Sequence, residues 1–197
     1  MSTVAAPQHE RFATGIYHGK LGMWVFIASE IMFFSGFIGA FIVLRNLHLE
    51  MFAESAHELN KVLGTINTAV LISSSLTMAL SHVAIEQGNQ QKFRLYLSLT
   101  FLCGIGFLII KTIEYSAKFS HGIFPETNVF YASYYIMTGF HAAHVIGGMI
   151  PMAWFLFRSM GKGFPQNEHH KIETLGLYWH FVDLVWIFLF PTLYLIF

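Results

Sequence analysis

The sequence predicts an all-α, polytopic membrane bundle of five transmembrane helices, with residues 1–197 forming a single membrane domain. Three observations predict it. Of the 197 residues, 55% are hydrophobic and 17% aromatic, while 11% are charged; soluble domains carry about 25% charged residues. Five apolar stretches, at about 21–44, 63–85, 95–115, 129–157 and 175–197, are separated by short links, so successive helices are antiparallel neighbours. Each is long enough to cross the roughly 30 Å hydrocarbon layer at about 1.5 Å per residue, and a helix satisfies its own backbone groups there. The formal net charge of zero offers no basic surface for nucleic acid. Cys103, the single cysteine, excludes an internal disulfide. The N-terminal MSTVAAPQHERF has no basic region followed directly by an apolar one, so no cleavable signal is expected.

The first stretch, LGMWVFIASEIMFFSGFIGAFIVLR, places Glu30 roughly 14 Å inside the membrane with nothing in its own helix to neutralise it. Two readings stand: a structural hydrogen bond to a neighbouring helix, or a proton-handling or lipid-linked role. Glu50, Glu54 and Glu58 follow at a spacing of four, the solvated face of a short link helix. In the second stretch Ser73, Ser74, Ser75 and Thr77 can add interhelical hydrogen bonds. The third carries Lys111 and Glu114, read as a local ion pair at the membrane boundary. The fourth is the longest and contains Pro151, which predicts a tilt or kink. Its Gly139, Ala143 and Gly147, like Gly36 and Ala40 in the first, repeat every four residues as a face for close helix packing.

Orientation follows from the basic residues. Arg11, Lys20, Lys92, Arg94, Arg158, Lys162 and Lys171 make seven on one side, against four (Arg45, Lys61, Lys111 and Lys118) on the other. The bias predicts a cytoplasmic N-terminus and a C-terminus across the membrane. Trp24, Tyr131, Tyr134, Tyr135, Trp154 and Tyr178 lie toward the segment ends, as interfacial belts do.

The fifth stretch, LGLYWHFVDLVWIFLFPTLYLIF, carries His180 and Asp183 well inside it. An aspartate near the middle of a lipid-facing helix costs about 2.5–3.5 kcal/mol, so Asp183 turns toward other helices, water or a partner. His141 and His144 in the fourth stretch fall near the depths of Glu30, His180 and Asp183. This predicts one buried polar layer, with Glu30 paired to His141 or His144 and Asp183 to His180 or a partner. A zinc, iron or copper site built from these histidines and a carboxylate is the competing reading, as is a bis-histidine haem on His82 and His144. Against both, the sequence has no cysteine ligand set and no C-x-x-C-H attachment motif. An independent transporter built on Glu30 and Asp183 would commonly show an internal repeat, and none is visible.

Taken together, WVFIASEIMFFSGFIGAF (24–41), LGTINTAVLISSSLTM (63–78), GFLIIKTIEY (106–115), TGFHAAHVIGG (138–148) and GLYWHFVDLVWIFLFPTLYL (176–195) resemble subunit III of the haem–copper terminal oxidases, in family order and on nearly every helix. The resemblance implies a non-catalytic subunit of a proton-pumping cytochrome c oxidase of the aerobic respiratory chain, set in the bacterial cytoplasmic membrane beside catalytic subunit I and with subunit II. Haem and copper would belong to those partner subunits and cytochrome c would be the electron donor. This chain would bind no redox centre or metal and would hold structural phospholipid. It also implies protection of subunit I during turnover and support of proton uptake from the cytoplasmic side. Glu30 falls on the family's intramembrane glutamate in its S-E-x-x-F-F motif; His141, His144, His180 and Asp183 fall on its histidine and aspartate signature positions. Longer members have seven helices, and this chain begins where their third would, so contacts of the missing pair do not carry over. Quinol oxidases and nitric-oxide-reductase-associated homologues also have five-helix subunits and are the alternative.

Overall fold

The computed structural model describes residues 18–161, 163–165 and 168–195. Arg11, Lys162, the N-terminal segment and the last two residues of the fifth predicted span lie outside the described residues. Every regular element among the described residues is helical: α1 (His18–Leu47), α2 (Leu49–His57), α3 (Lys61–Glu86), α4 (Gln90–Ser120), α5 (Val129–Met160) and α6 (His169–Phe190), which ends in a π-helical turn (Pro191–Leu195). All of these but α2 are long and apolar enough to span a membrane.

Local chemistry sets the helix ends. The side chains of Asn60, Asn89 and Asn128 accept from the backbone N–H of Leu63, Lys92 and Tyr131, at 3.1, 3.0 and 2.9 Å, and so open α3, α4 and α5. Gly88 and Gly122 close α3 and α4 at φ 72° and 73°, where a side chain would be strained. The following residues, Asn89 and Ile123, return their N–H groups to Ala84 and Lys118 carbonyls at 2.9 and 3.0 Å. Helix α5 continues through Pro151. The proline removes the bond its own N–H would have given to the Gly147 carbonyl, yet the helical assignment is unbroken there.

The bundle is built on α6, which packs against α1, α3 and α5. Its most apolar window is 56% buried within the chain, against 17% for α1, which lies at the edge. In lipid the drive for this packing is close contact and interhelical hydrogen bonding rather than the hydrophobic effect. Two tryptophans of α6 supply both. Trp179 and Trp186 are fully buried, and their indole N–H groups donate to Ser74 Oγ at 2.9 Å and Thr68 Oγ1 at 3.0 Å on α3. Ser75 meets His180, and Thr77 meets Thr100 of α4 at 2.8 Å, while Ser73 turns back to its own helix at Ala69.

The small-residue faces differ from expectation. Gly36, Ala40, Ala143 and Gly147 are exposed on the bundle surface. At Gly147 an added Cβ would still meet Tyr178 Oη at 3.2 Å, but the tightest approaches are at Gly64, Gly104 and Gly148, where it would come within 2.7 Å of the Phe190 ring, 3.0 Å of Met149 and 2.9 Å of the Trp179 ring. The spacing of four was present, but large rings on the facing helix, which spacing does not report, decide where a glycine is needed.

At the end of the bundle holding Lys20 and Glu168, Lys20 pairs with Glu173 at 2.5 Å, and Glu168 binds Lys171 at 2.7 Å and Arg158 at 3.2 Å. The Lys171 ammonium bonded to it, with Arg158 beyond, holds the Glu168 carboxyl below the usual carboxylate range.

Candidate functional site

Glu30 on α1 and His144 on α5 meet across the helices, Oε2 to Nε2 at 3.1 Å, with side chains 18% and 17% exposed. The other ring nitrogen, Nδ1, lies 2.8 Å from the Phe140 carbonyl. A carbonyl only accepts, so Nδ1 carries a hydrogen. Nε2 then has two options. It accepts from a protonated Glu30, or it donates, as imidazolium, to the carboxylate. Either way one hydrogen lies along the Oε2–Nε2 line. Phe34 stands edge-on to the imidazole at 5.2 Å, and Tyr178 of α6 donates to the His144 carbonyl at 2.9 Å. The Phe34 ring and the Phe140 carbonyl orient the imidazole, Tyr178 ties its backbone to α6, and its partial exposure keeps the pair open on another side.

Of the two pairings open to Glu30, the structure contains that with His144. His141 is fully buried on a different face, edge-on to Phe107 at 5.3 Å and tilted over Trp186 at 5.1 Å. Three residues advance a helix by about 300°, leaving the two side chains about 60° apart. That is enough to send His144 to α1 and His141 into the core. Neither His141 nitrogen has a hydrogen-bond partner among the described residues.

His180 and Asp183 do not pair. His180 is exposed at the bundle surface, its Nδ1 2.6 Å from Ser75 Oγ. Asp183 is 3% exposed, and neither of its oxygens has a hydrogen-bond partner among the described residues. The predicted pairings thus resolve into the Glu30–His144 pair and the Ser75–His180 contact, with His141 and Asp183 each buried in the core. No group of three or more His, Cys, Asp or Glu among the described residues is placed to hold a metal ion. Since Asp183 faces the interior, Asp183→Leu is expected to act through the chain's own stability before it acts on assembly. The thermal midpoint of the chain in detergent should shift while subunit co-purification persists.

The Lys111–Glu114 pair that the sequence shows is part of a larger polar cluster, whose tyrosines the sequence reading did not include. Lys111 and Glu114 form the expected ion pair, and at 4% and 3% exposed it is buried among the helices of the bundle. Lys111 Nζ donates to Glu114 Oε2 at 3.0 Å and to Tyr194 Oη at 2.8 Å; Tyr194 in turn donates to Glu114 Oε1 at 2.7 Å. The Lys111 ammonium also stands 4.8 Å from the Trp186 ring and 5.2 Å from that of Tyr134. The signal was available: two charges inside an apolar run, with tyrosines on other helices at matching depth.

The fold and the Glu30–His144 site define a class: a polytopic helical membrane subunit with a half-buried carboxyl–imidazole pair between its helices. The family model described as cytochrome c oxidase subunit III matches residues 5–196. A cytochrome c oxidase subunit 3 of Corynebacterium diphtheriae is 35% identical, covering 98% of this chain and 95% of that protein. One from Thermostichus vulcanus is 36% identical over 89% of this chain and 86% of that protein. The chain covers 68% of the longer Loxodonta africana protein of the same name, at 33% identity and over 89% of its own length. The chain belongs to the cytochrome c oxidase subunit III family, and so to a haem–copper oxidoreductase complex of the membrane.

Proposed function

We propose that the chain is the non-catalytic subunit III of a proton-pumping cytochrome c oxidase, packed directly on catalytic subunit I in the bacterial cytoplasmic membrane and assembled with subunit II. In this reading it folds as one membrane domain with its N-terminus in the cytoplasm and its C-terminus outside. Haem and copper reside in the partner subunits, cytochrome c supplies electrons, and this chain contributes stability, a lipid environment and a path for proton uptake. Glu30, His141, His144, His180 and Asp183 are its intramembrane working residues.

The observation that carries the reading is the Glu30–His144 contact at 3.1 Å. A shared proton, partly open to the surroundings and inside the membrane, suits a group that exchanges protons with a neighbour's hydrated path. Glu30→Gln is the discriminating variant, because an amide still donates to Nε2 but exchanges no proton at physiological pH. The purified complex should assemble with normal subunit stoichiometry and inactivate several-fold sooner during turnover, with slowed proton uptake. Unchanged lifetime and uptake would assign Glu30 a packing role alone. Stoichiometric haem or copper on this chain purified by itself would defeat the wider reading.

A further inference from the structure

Helix α6 is the most buried of the spans, yet one strip of it is open. His180, Leu184 and Ile187 recur at intervals of four and three, so they share one side of the helix, and all three are exposed. Ile72 and Leu76 on α3 are exposed beside this strip, and Ser75 between them meets His180. On α1, Phe33 and Phe37 turn to Phe140 of α5, while Ile31 is exposed on the other side. Because α1 and α3 both pack on α6, the three helices present one face, with α4 across the bundle between α3 and α5.

An imidazole stands in the middle of this apolar face. Its Nδ1 lies 2.6 Å from Ser75 Oγ, and its Nε2 has no hydrogen-bond partner among the described residues. A neutral imidazole donates from one nitrogen and accepts at the other, so either tautomer leaves Nε2 one bond to make. Acyl chains offer neither donor nor acceptor. Glu30 and His144, at the same depth, satisfy one another at 3.1 Å and make no such demand. The strip that carries His180 is therefore a protein-facing surface rather than a lipid-facing one.

We propose that the face formed by α1, α6 and α3 docks on catalytic subunit I, with His180 Nε2 bonded to a hydroxyl or amide side chain of a transmembrane helix there. This rests on the reading of the chain as a subunit III packed on subunit I, and adds which face does the packing. Chemistry selects the occupant. A spanning helix satisfies its own backbone, so at this depth it meets Nε2 with a side chain. A hydroxyl or amide both donates and accepts, and so suits either tautomer. The spacing of four and three is that of a seam between helices crossing at a shallow angle, and Ile72, Leu76, Leu184 and Ile187 give it apolar knobs. A second copy of this chain fits less well. A two-fold contact gives both copies the same environment, and two Nε2 atoms in one tautomer cannot donate to each other.

The test uses the purified oxidase complex. A photoreactive residue at Leu184 should crosslink to subunit I, and one at Leu102, exposed on α4 across the bundle, should not. His180→Ala should leave the complex about tenfold faster in detergent, the loss of one hydrogen bond, while the melting midpoint of the isolated subunit stays at the parent value. His180→Gln, whose amide donates and accepts, should restore the parent rate. Parent-like release of His180→Ala would overturn the proposal. So would crosslinks from Leu184 to lipid, to a second copy of this chain or to a subunit other than I. Should His180→Ala fail to assemble, the crosslinks decide it. A complex that holds subunit I but crosslinks to it from Leu102 and not from Leu184 defeats the assigned face and leaves the wider reading standing. A complex without subunit I defeats both.

Discussion

Glu114→Leu is expected to destabilise the chain by about 3–5 kcal/mol, the cost of stranding a buried charge by removing its partner. The wild-type arrangement closes on itself. Lys111 donates to Glu114 and Tyr194, and Tyr194 donates to Glu114, all inside the core. With the carboxylate gone, the ammonium keeps the hydroxyls of Tyr194 and Tyr134 and aromatic faces that attract it, without a counter-charge bonded to it. Lys111→Met alone should cost a similar amount for the mirror reason. Lys111→Met combined with Glu114→Leu should recover most of the loss, because two apolar side chains of similar volume strand nothing. Denaturant or thermal unfolding of the four proteins in one detergent gives the cycle. Additive losses would mean that the two charges do not act as a pair.

Trp179→Ala should cost a comparable amount, about 3–5 kcal/mol. The ring is fully buried where α3, α4, α5 and α6 converge: its N–H reaches Ser74, and its edge lies against the positions where Gly148 and Gly104 lack a Cβ. Removing it leaves a cavity and takes away the donor to Ser74 Oγ, which keeps its own bond to the Leu71 carbonyl at 2.7 Å. Gly148→Leu should fail from the other direction, since a Cβ there already comes within 2.9 Å of the Trp179 ring and 3.0 Å of the Tyr178 ring. Gly36→Leu is the control, because nothing lies within 4 Å of an added Cβ at that exposed position. The yield of monodisperse protein and the melting midpoint should drop sharply for the first two and little for the third.

How far the sequence could be read depended on the range of the interaction. All five predicted stretches lie within or overlap α1, α3, α4, α5 and α6, because crossing a bilayer demands an apolar run of a certain length and that demand is local. Polarity inside those runs likewise marked Glu30, His141, His144, His180 and Asp183 as inward or partnered groups. Which of them meet was not legible. His141 and His144 are neighbours in sequence, yet one faces Phe107 and Trp186 while the other reaches Glu30, 114 residues away. Lys111 and Glu114 were legible as a pair, but Tyr194, 80 residues from Glu114, is what closes the cluster and carries it into the core.

By itself, then, the sequence determined the class of molecule, the number and extent of its spans and the residues too polar to face hydrocarbon, since each rests on a stretch's own length and composition. The tertiary structure alone decided which face of each helix turned inward, and with it the partner of Glu30, the burial of Asp183 and the closing of the Lys111–Glu114 pair by Tyr194. The physical reason is that a helix places successive side chains about 100° apart. A small rotation of one helix against its neighbours therefore exchanges one polar contact for another without changing any local preference.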